Sequence, residues 1–311
     1  MTLPEKTQAL VDELSARYPA PDFSALTPDE EAAYILSSRA NTSVPATGGE
    51  SVAKVVDTTT GPFDVPARVY VPDRTTLPGA VVLYFHGGGW TLGSVEMSDG
   101  LCRYVANRSG CVVVSSTYRL APEYPFPAAA DDAFDALRWV VEHASEYGAD
   151  PTRIAVMGSS AGGNLAASVC VRARDEGGPP IALQVLLYPV IDSSMASKSF
   201  HNYAEGCFLT AAQMRWHWGK YAPDPAQRSH PYASPAFTDD LAGLPPAIVV
   251  TAEFDPLRDE GETYAQRLIA AHVPAKMFRA KGQLHSFLTM LGVLPEANLY
   301  ADMIASRLSE I

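Results

Sequence analysis

A serine lies midway between two glycines in the sequence Gly158-Ser159-Ser160-Ala161-Gly162. The preceding residues 153–157 are apolar and partly β-branched, which predicts a buried strand, and residues 161–174 are rich in helix-forming side chains. The sequence therefore predicts a sharp strand-to-helix turn that holds the Ser160 hydroxyl beside the free N–H groups of a helix N-terminus. A hydroxyl placed there could attack an acyl carbon. An ordinary glycine-rich turn is the alternative that these five residues leave open.

A serine nucleophile needs a base to take its proton and a carboxylate to orient that base. His285 is the predicted base, because among seven histidines it is the one that lies in a loop after the last predicted strand. Asp255 is the predicted acid, and the chain order serine, aspartate, histidine is the order found with this kind of turn. Glu253 and Asp259 compete with Asp255, and Asp192 is held in reserve, since all three lie near predicted strand ends.

Attack on an acyl group also needs N–H donors for the negative charge that develops on the carbonyl oxygen. His86-Gly87-Gly88-Gly89-Trp90 follows the apolar run 80–85, and three glycines at a strand end let backbone N–H groups face a ligand. The predicted donors are the N–H groups of Gly88, Gly89 and Ala161. A flexible linker is the alternative interpretation of the glycines, but their position between a strand and a helical segment argues against it.

The elements that must position these residues alternate along the chain. Apolar strands are predicted at residues 80–85, 111–116, 153–157, 181–188, 247–252 and 276–280, with helical segments between them, and residues 52–57 and 67–71 are predicted to form an antiparallel pair. Buried strands alternating with helices predict a mostly parallel, doubly wound α/β sheet with helices on both faces. The carboxyl ends of such strands meet on one rim, where ligands bind.

Two stretches interrupt this alternation. Residues 1–50 contain two short amphipathic helices, the second beginning at Thr27-Pro28, and residues 192–244 form a proline-punctuated insertion with a helix from Thr210 to Tyr221. We expect them to form the two parts of a helical cap over the site, with the catalytic domain in residues 51–191 and 245–311. Residues 1–50 could alternatively be disordered or form a dimer arm. The insertion could alternatively be a surface excursion with its own small core.

Composition excludes several functions. The chain has 47% hydrophobic residues, a net charge of −12 and a pI of about 5.0, with no basic stripe, which argues against nucleic acid or an anionic membrane as a partner. No stretch is apolar and long enough to cross a bilayer. The start of the chain has no pattern typical of a signal peptide, so we expect a cytoplasmic protein. The four scattered cysteines and seven histidines form no metal-binding pattern, and neither a metal nor a cofactor is expected.

Taken together, the motifs resemble the hormone-sensitive-lipase-like branch of the α/β-hydrolases, known in bacteria as family IV, over residues 50–311. The resemblance rests on His86-Gly87-Gly88-Gly89-Trp90, Tyr118-Arg119-Leu120-Ala121-Pro122-Glu123, Gly158-Ser159-Ser160-Ala161-Gly162-Gly163-Asn164, Asp255-Pro256-Leu257-Arg258-Asp259-Glu260-Gly261 and His285. It implies an α/β-hydrolase fold with an eight-stranded sheet and a helical cap, carboxylesterase activity on small esters with short acyl chains, and a homodimer through the edge of the last strand. This chain departs from the family at Ser159, where an aspartate is usual, so any hydrogen-bond network made by that acid is in question.

The sequence supports three hypotheses of function. The leading one is a serine carboxylesterase that forms an acyl-enzyme on Ser160 and acts on short-to-medium acyl esters. An amidase or another acyl-transfer enzyme could use the same residues, because sequence does not reveal how the histidine is placed toward an amine leaving group. A non-catalytic ligand receptor on the same scaffold is the third, and retention of Ser160, Asp255 and His285 argues against it.

Overall fold

The computed structural model describes residues 3–40, 50–73 and 79–311, and most of the loop predicted at residues 41–50 lies outside these ranges. Eight strands form one sheet in the order β1-β2-β4-β3-β5-β6-β7-β8. The strands are β1 Lys54–Thr60, β2 Val65–Val71, β3 Gly79–Phe85, β4 Val112–Ser116, β5 Ala149–Ser159, β6 Leu183–Leu187, β7 Ala247–Phe254 and β8 Ala275–Leu284. Strands β3 to β8 run parallel, while β1 and β2 are antiparallel to each other and β2 is antiparallel to β4. The predicted α/β-hydrolase fold is confirmed.

Helices cover both faces of the sheet. Within the described residues they are α1 Glu5–Arg17, α2 Pro28–Ala40, α3 Asp99–Ser109, α4 Ala128–His143, α5 Ala161–Asp175, α6 Lys198–Asn202, α7 Ala211–Tyr221, α8 Arg258–Ala270 and α9 Pro295–Leu308. Helix α7 begins where the sequence predicts, because the Thr210 side chain accepts a hydrogen bond from the Gln213 N–H. Helix α2 begins with a capping box, in which Thr27 and Glu30 each accept from the other's N–H.

The core divides into two layers because successive strand residues point to opposite faces. In β3, Val81, Leu83 and Phe85 pack in the layer that contains α4, α5 and α8. Their neighbours Val82 and Tyr84 pack in the other layer, with α3 and α9. Every residue of β3 is buried, as expected for a parallel strand that is covered on both sides.

The last strand is longer than predicted. The apolar run suggested an end at residue 280, whereas β8 continues to Leu284. The reason is its partner: β7 continues to Phe254, which pairs with Leu284 beyond an irregularity in the ladder. As a consequence, His285 follows directly on a paired and buried residue rather than on a free loop.

The N-terminal segment, residues 3–40, contacts the inserted segment, residues 192–244; these are the two stretches that are expected to form the cap, and they are called the cap segments below. The Glu31 carboxylate of α2 accepts a hydrogen bond from the Trp216 indole of α7 at 2.9 Å and pairs with the Lys220 ammonium at 2.6 Å. The rings of Phe23 and Tyr34 pack around Trp216 with centroids 5.2 and 5.9 Å away. The two helical stretches that the sequence sets apart therefore pack on each other.

Helix α1 attaches the N-terminal cap segment to the edge of the sheet. The Thr7 hydroxyl donates to the Gly282 carbonyl of β8 at 2.9 Å. Val11 and Leu14 are buried in a small apolar cluster that includes Cys207 of the insertion. No helix in the described parts of the chain is long and apolar enough to span a bilayer.

The buried centre of the sheet should dominate stability. Leu83 is 0% exposed and Leu36 is 73% exposed, so Leu→Ala can be compared at both positions. We expect Leu83→Ala to lower the free energy of unfolding by about 3 kcal/mol, because it removes buried methyl groups and leaves a cavity. Leu36→Ala should change it by less than about 0.5 kcal/mol. Chemical denaturation of both variants measures the difference, and equal losses would contradict the assignment of β3 to the core.

Candidate active site

Ser160 occupies the sharp turn between β5 and α5 and adopts a left-handed backbone angle, with φ +55° and ψ −118°. Such a conformation is uncommon for a non-glycine residue and is held here by tight packing. A Cβ at Gly158 would collide with the Gly162 carbonyl, and a Cβ at Gly162 would collide with the Phe85 carbonyl. The two glycines are therefore required because the turn is pressed against its own backbone and against the end of β3.

The structure brings the three predicted catalytic side chains into one hydrogen-bonded row. His285 Nε2 lies 2.9 Å from Ser160 Oγ, and His285 Nδ1 lies 2.7 Å from Asp255 Oδ2. The other Asp255 oxygen accepts from the Leu257 N–H at 2.9 Å. Ser160, Asp255 and His285 are all buried. An acceptor on Nδ1 keeps the ring proton there, which leaves the Nε2 lone pair facing the serine hydroxyl.

The three competing carboxylates make hydrogen bonds to backbone N–H groups and not to His285. Glu253 accepts from the Gly282 N–H at 2.7 Å. Asp259 accepts from the Ser199 N–H at 2.8 Å, and Asp192 accepts from the Ser194 N–H at 2.8 Å. The structure thus places Asp255, and none of the alternatives, against the imidazole.

The N–H groups of Gly88, Gly89 and Ala161 have no acceptor among residues 3–40, 50–73 and 79–311. In a planar trans peptide, the N–H of one residue points opposite to the C=O of the preceding residue, so the groups that hold this C=O also fix the direction of the N–H. The carbonyl behind Gly88 N–H is that of Gly87, which accepts from His86 Nδ1 at 2.7 Å. The carbonyl behind Ala161 N–H is that of Ser160, which accepts two N–H groups at 3.1 Å.

His86 is a site residue whose role the sequence did not reveal. Its Nδ1 donates to Gly87, and its Nε2 pairs with the Thr117 hydroxyl at 2.8 Å. The ring stacks on Tyr118 with centroids 4.5 Å apart. Burial lowers the pKa of His86 to about 4, so the ring is neutral near pH 7 and can donate from one nitrogen while accepting on the other.

Ser159, the departure from the family pattern, makes a small network of hydroxyls. Its Oγ lies 3.0 Å from the Tyr84 hydroxyl, which also accepts from Ser98 at 3.3 Å. Burial raises the pKa of Tyr84, so this network carries no charge near neutral pH. An uncharged network therefore stands beside the turn where an aspartate would bring a buried carboxylate.

Two aromatic side chains near the base were also missed by sequence reasoning. The Tyr188 ring meets the His285 ring edge-on at 4.9 Å. His217, on α7, is 3% exposed, and burial lowers its pKa to about 3. Helical periodicity in α7 marks an apolar face but does not reveal which part of the protein that face contacts.

In the described parts of the chain, no group of three or more potential ligand side chains could hold a metal ion.

Comparison with known proteins gives consistent matches. A family model described as alpha/beta hydrolase fold matches residues 82–289. An arylesterase of Saccharolobus solfataricus is 44% identical over 227 residues, covering 73% of this chain and 74% of the relative. An ethyl acetate hydrolase of Pseudomonas putida is 37% identical over 290 residues, covering 92% and 91%. The structure of a hyperthermophilic esterase from the archaeon Pyrobaculum calidifontis superposes with a TM-score of 0.89 at 39% identity, covering 100% and 99%.

The buried neutral histidines should make folding sensitive to acid. The folded-state pKa of His217 is about 3, below the ordinary value of 6.5, so the unfolded chain binds the proton more tightly. The stability that this residue contributes is full above about pH 6.5 and is lost as pH falls from there toward 3. We expect His217→Leu to reduce the slope of unfolding free energy against pH by up to about 1.4 kcal/mol per unit near pH 5. Denaturant titrations at several pH values measure that slope; an unchanged slope in the variant would contradict a neutral His217.

Proposed function

This chain belongs to the alpha/beta hydrolase family, and on that premise we propose that Ser160, His285 and Asp255 are the catalytic triad of a carboxylic ester hydrolase. Its relatives are esterases, and the chain hydrolyses carboxylic esters. The observation that carries the assignment of residues is the unbroken row of hydrogen bonds at 2.9 and 2.7 Å. Among the described residues, the N–H groups of Gly88, Gly89 and Ala161 have no acceptor, which leaves them free to bind an oxyanion.

The proposed acylation step begins when His285 Nε2 takes the Ser160 hydroxyl proton and Oγ bonds to the acyl carbon. The π electron pair of the ester carbonyl moves to its oxygen, giving a tetrahedral oxyanion. Collapse of this intermediate breaks the bond to the alkoxy oxygen, which receives the proton from His285 and leaves as the alcohol. The Asp255 carboxylate stabilises the imidazolium through its hydrogen bond to Nδ1, and the acyl group remains on Ser160.

Deacylation repeats the sequence with water. His285 takes a proton from a water molecule, whose oxygen attacks the acyl carbon, and the second oxyanion collapses to release the carboxylic acid while Ser160 Oγ regains a proton. In both steps the oxyanion is proposed to accept hydrogen bonds from Gly88, Gly89 and Ala161. Each such donor typically contributes about 3 kcal/mol to transition-state stabilisation, since it is oriented before the charge develops.

We infer that the substrate is a small ester with a short or medium acyl chain. A relative that aligns with 92% of this chain is named as an ethyl acetate hydrolase, which supports a small substrate. Helix α7 of the inserted segment packs on the glycine loop beside the triad: the Trp218 ring lies 4.8 Å from the Trp90 ring, and the His217 ring lies directly against Gly89. We propose that these segments form a cap domain over the body made by residues 51–191 and 245–311.

The remaining proposals concern assembly and location. Strand β8, at ten residues, is the terminal strand of the described sheet, and the part of its edge that precedes the Thr7 contact at Gly282 can pair with a second copy. We propose a homodimer through this edge, which sedimentation analysis would detect as twice the chain mass. The four cysteines are buried free thiols, and this supports a cytoplasmic location.

Removal of the nucleophile or the base tests the proposed residues. Ser160→Ala and His285→Ala should each lower kcat for p-nitrophenyl butyrate by at least about 10⁴-fold, because the acyl-enzyme can no longer form. Their thermal unfolding should remain cooperative. Phe63→Ala, at an exposed aromatic outside the proposed machinery, serves as the control and should keep wild-type kcat. Activity of Ser160→Ala near the wild-type level would refute the triad.

The substrate class can be tested with one acyl series and one matched pair. Among p-nitrophenyl esters from acetate to laurate, we expect kcat/KM to peak at or near butyrate and to fall for laurate. The ester should also be hydrolysed much faster than the corresponding p-nitroanilide, since an amine leaving group demands stricter proton delivery. Comparable rates on ester and anilide would favour the amidase hypothesis instead.

A further inference from the structure

The Gly88–Gly89 peptide unit carries one of the proposed oxyanion donors, the Gly89 N–H. Because N–H and C=O of a planar trans peptide point opposite ways, the groups that hold the Gly88 carbonyl also set the direction of this N–H. Three donors hold that oxygen: the Leu92 N–H at 2.9 Å, the Thr91 N–H at 3.1 Å and the Thr91 hydroxyl at 3.3 Å. The direction of the Gly89 N–H therefore depends on the position of Thr91.

The inserted cap segment reaches Thr91 through His217. His217 Nδ1 of helix α7 lies 2.7 Å from the Thr91 hydroxyl. Because that hydroxyl donates its one proton to the Gly88 carbonyl, it accepts from Nδ1, and the relay uses the His217 tautomer with its proton on Nδ1. The imidazole also packs directly on the loop, since a Cβ at Gly89 would collide with its ring. A first hydrogen-bonded relay thus runs from α7 to the Gly88–Gly89 peptide.

The N-terminal cap segment reaches the same peptide through Arg39, in the last turn of α2. Arg39 Nε donates to the Thr91 carbonyl at 2.9 Å, and its two terminal nitrogens are held by the Glu123 carboxylate at 2.8 and 2.9 Å. The Thr91 carbonyl and the Leu92 N–H belong to one peptide unit. Holding that carbonyl therefore directs the Leu92 N–H toward the Gly88 oxygen, which is a second relay.

We propose that Thr91, His217 and Arg39 are positioning residues through which the two cap segments fix the Gly89 N–H toward the oxyanion. The proposal rests on the proposed function, because it needs Gly89 to be a donor in the reaction. It extends that function, because the cap then contributes to transition-state stabilisation and not only to covering the site. Loss of a relay should reduce kcat and leave KM nearly unchanged, since the ground-state ester makes no full oxyanion contact.

The hydroxyl of Thr91 allows a matched comparison. Thr91→Val removes the hydroxyl at nearly constant volume, whereas Thr91→Ser keeps it. Complete loss of an oxyanion donor lowers kcat by about 10²- to 10³-fold. In Thr91→Val the Gly89 N–H is still present but is held less firmly, so the expected loss is smaller, about tenfold. We therefore expect Thr91→Val to lower kcat about tenfold with little change in KM, and Thr91→Ser to remain near the wild type. Equal kcat values in the two variants would overturn the proposal.

The His217 arm is tested by two substitutions and an exposed control. His217→Leu should lower kcat like Thr91→Val, while His217→Asn, which keeps a polar atom close to the Nδ1 position, should restore part of it. His230→Leu makes the same change at an exposed histidine of the same insertion and should leave kcat unchanged. The double variant Thr91→Val with His217→Leu should lose no more than the stronger single variant, because both act through one contact. Additive losses would refute the relay.

Affinity for a transition-state analogue separates positioning from general damage. A trifluoromethyl ketone adds to the serine and presents an oxyanion, so its Ki should rise in each variant by the factor by which kcat/KM falls. A change in KM alone, with Ki constant, would contradict the proposal. If His217→Leu fails to fold, the Thr91→Val and Thr91→Ser pair still decides the outcome. Ser160→Ala is measured alongside. If Ser160→Ala is active, the proposed function is overturned. If Ser160→Ala is inactive but Thr91→Val has the kcat of the wild type, only the relay is overturned.

Discussion

The parallel pairing of β3 with β5 is the interaction on which the site depends. It sets Phe85 opposite Gly158, so the glycine loop after β3 and the serine turn after β5 begin side by side. The backbones then approach closely: a Cβ at Gly162 would collide with the Phe85 carbonyl, and a Cβ at Gly87 would lie in tight contact, 3.2 Å from the Ser159 carbonyl oxygen and 3.3 Å from the Ser160 Cβ. The proposed nucleophile and two proposed donors are thus adjacent because two central strands are adjacent. The proposed acid and base follow β7 and β8, which end on the same rim.

A backbone N–H is held toward a site when the carbonyl of the same peptide unit is hydrogen-bonded on the opposite side, and the proposed oxyanion donors follow that rule. The carbonyls of Gly87, Gly88 and Ser160 are each bonded to a group behind the site, while the N–H groups in front have no acceptor in the described chain. Such an arrangement leaves the donors already oriented, so little reorganisation is needed when charge develops. The neutral ring of His86 suits its position, because it donates to the Gly87 carbonyl without placing a cation near the developing charge.

Sequence reasoning worked for residues whose placement follows from chain order and strand ends. Ser160, Asp255 and His285 could be predicted because each follows a strand of one parallel sheet, and parallel strands end on one rim. His217 and Thr91 could not be predicted, since their contact depends on how α7 docks across the sheet, and a helical pattern gives the buried face without its partner. Likewise the extension of β8 depends on its pairing with β7 rather than on its own apolar run.

The docking of α7 next to the site also constrains charge. The proposed reaction places a positive charge on His285, and this ring lies close enough to His217 that, after burial, its charge is a further cause that lowers the pKa of His217. A charged ring at position 217 would therefore make proton transfer from Ser160 less favourable. Burial prevents this, because a desolvated imidazole without an acid partner stays neutral and still offers one donor and one acceptor. An amide or hydroxyl could make the same hydrogen bond to Thr91, but the His217 ring also packs against Gly89, so closely that a Cβ added at Gly89 would collide with it.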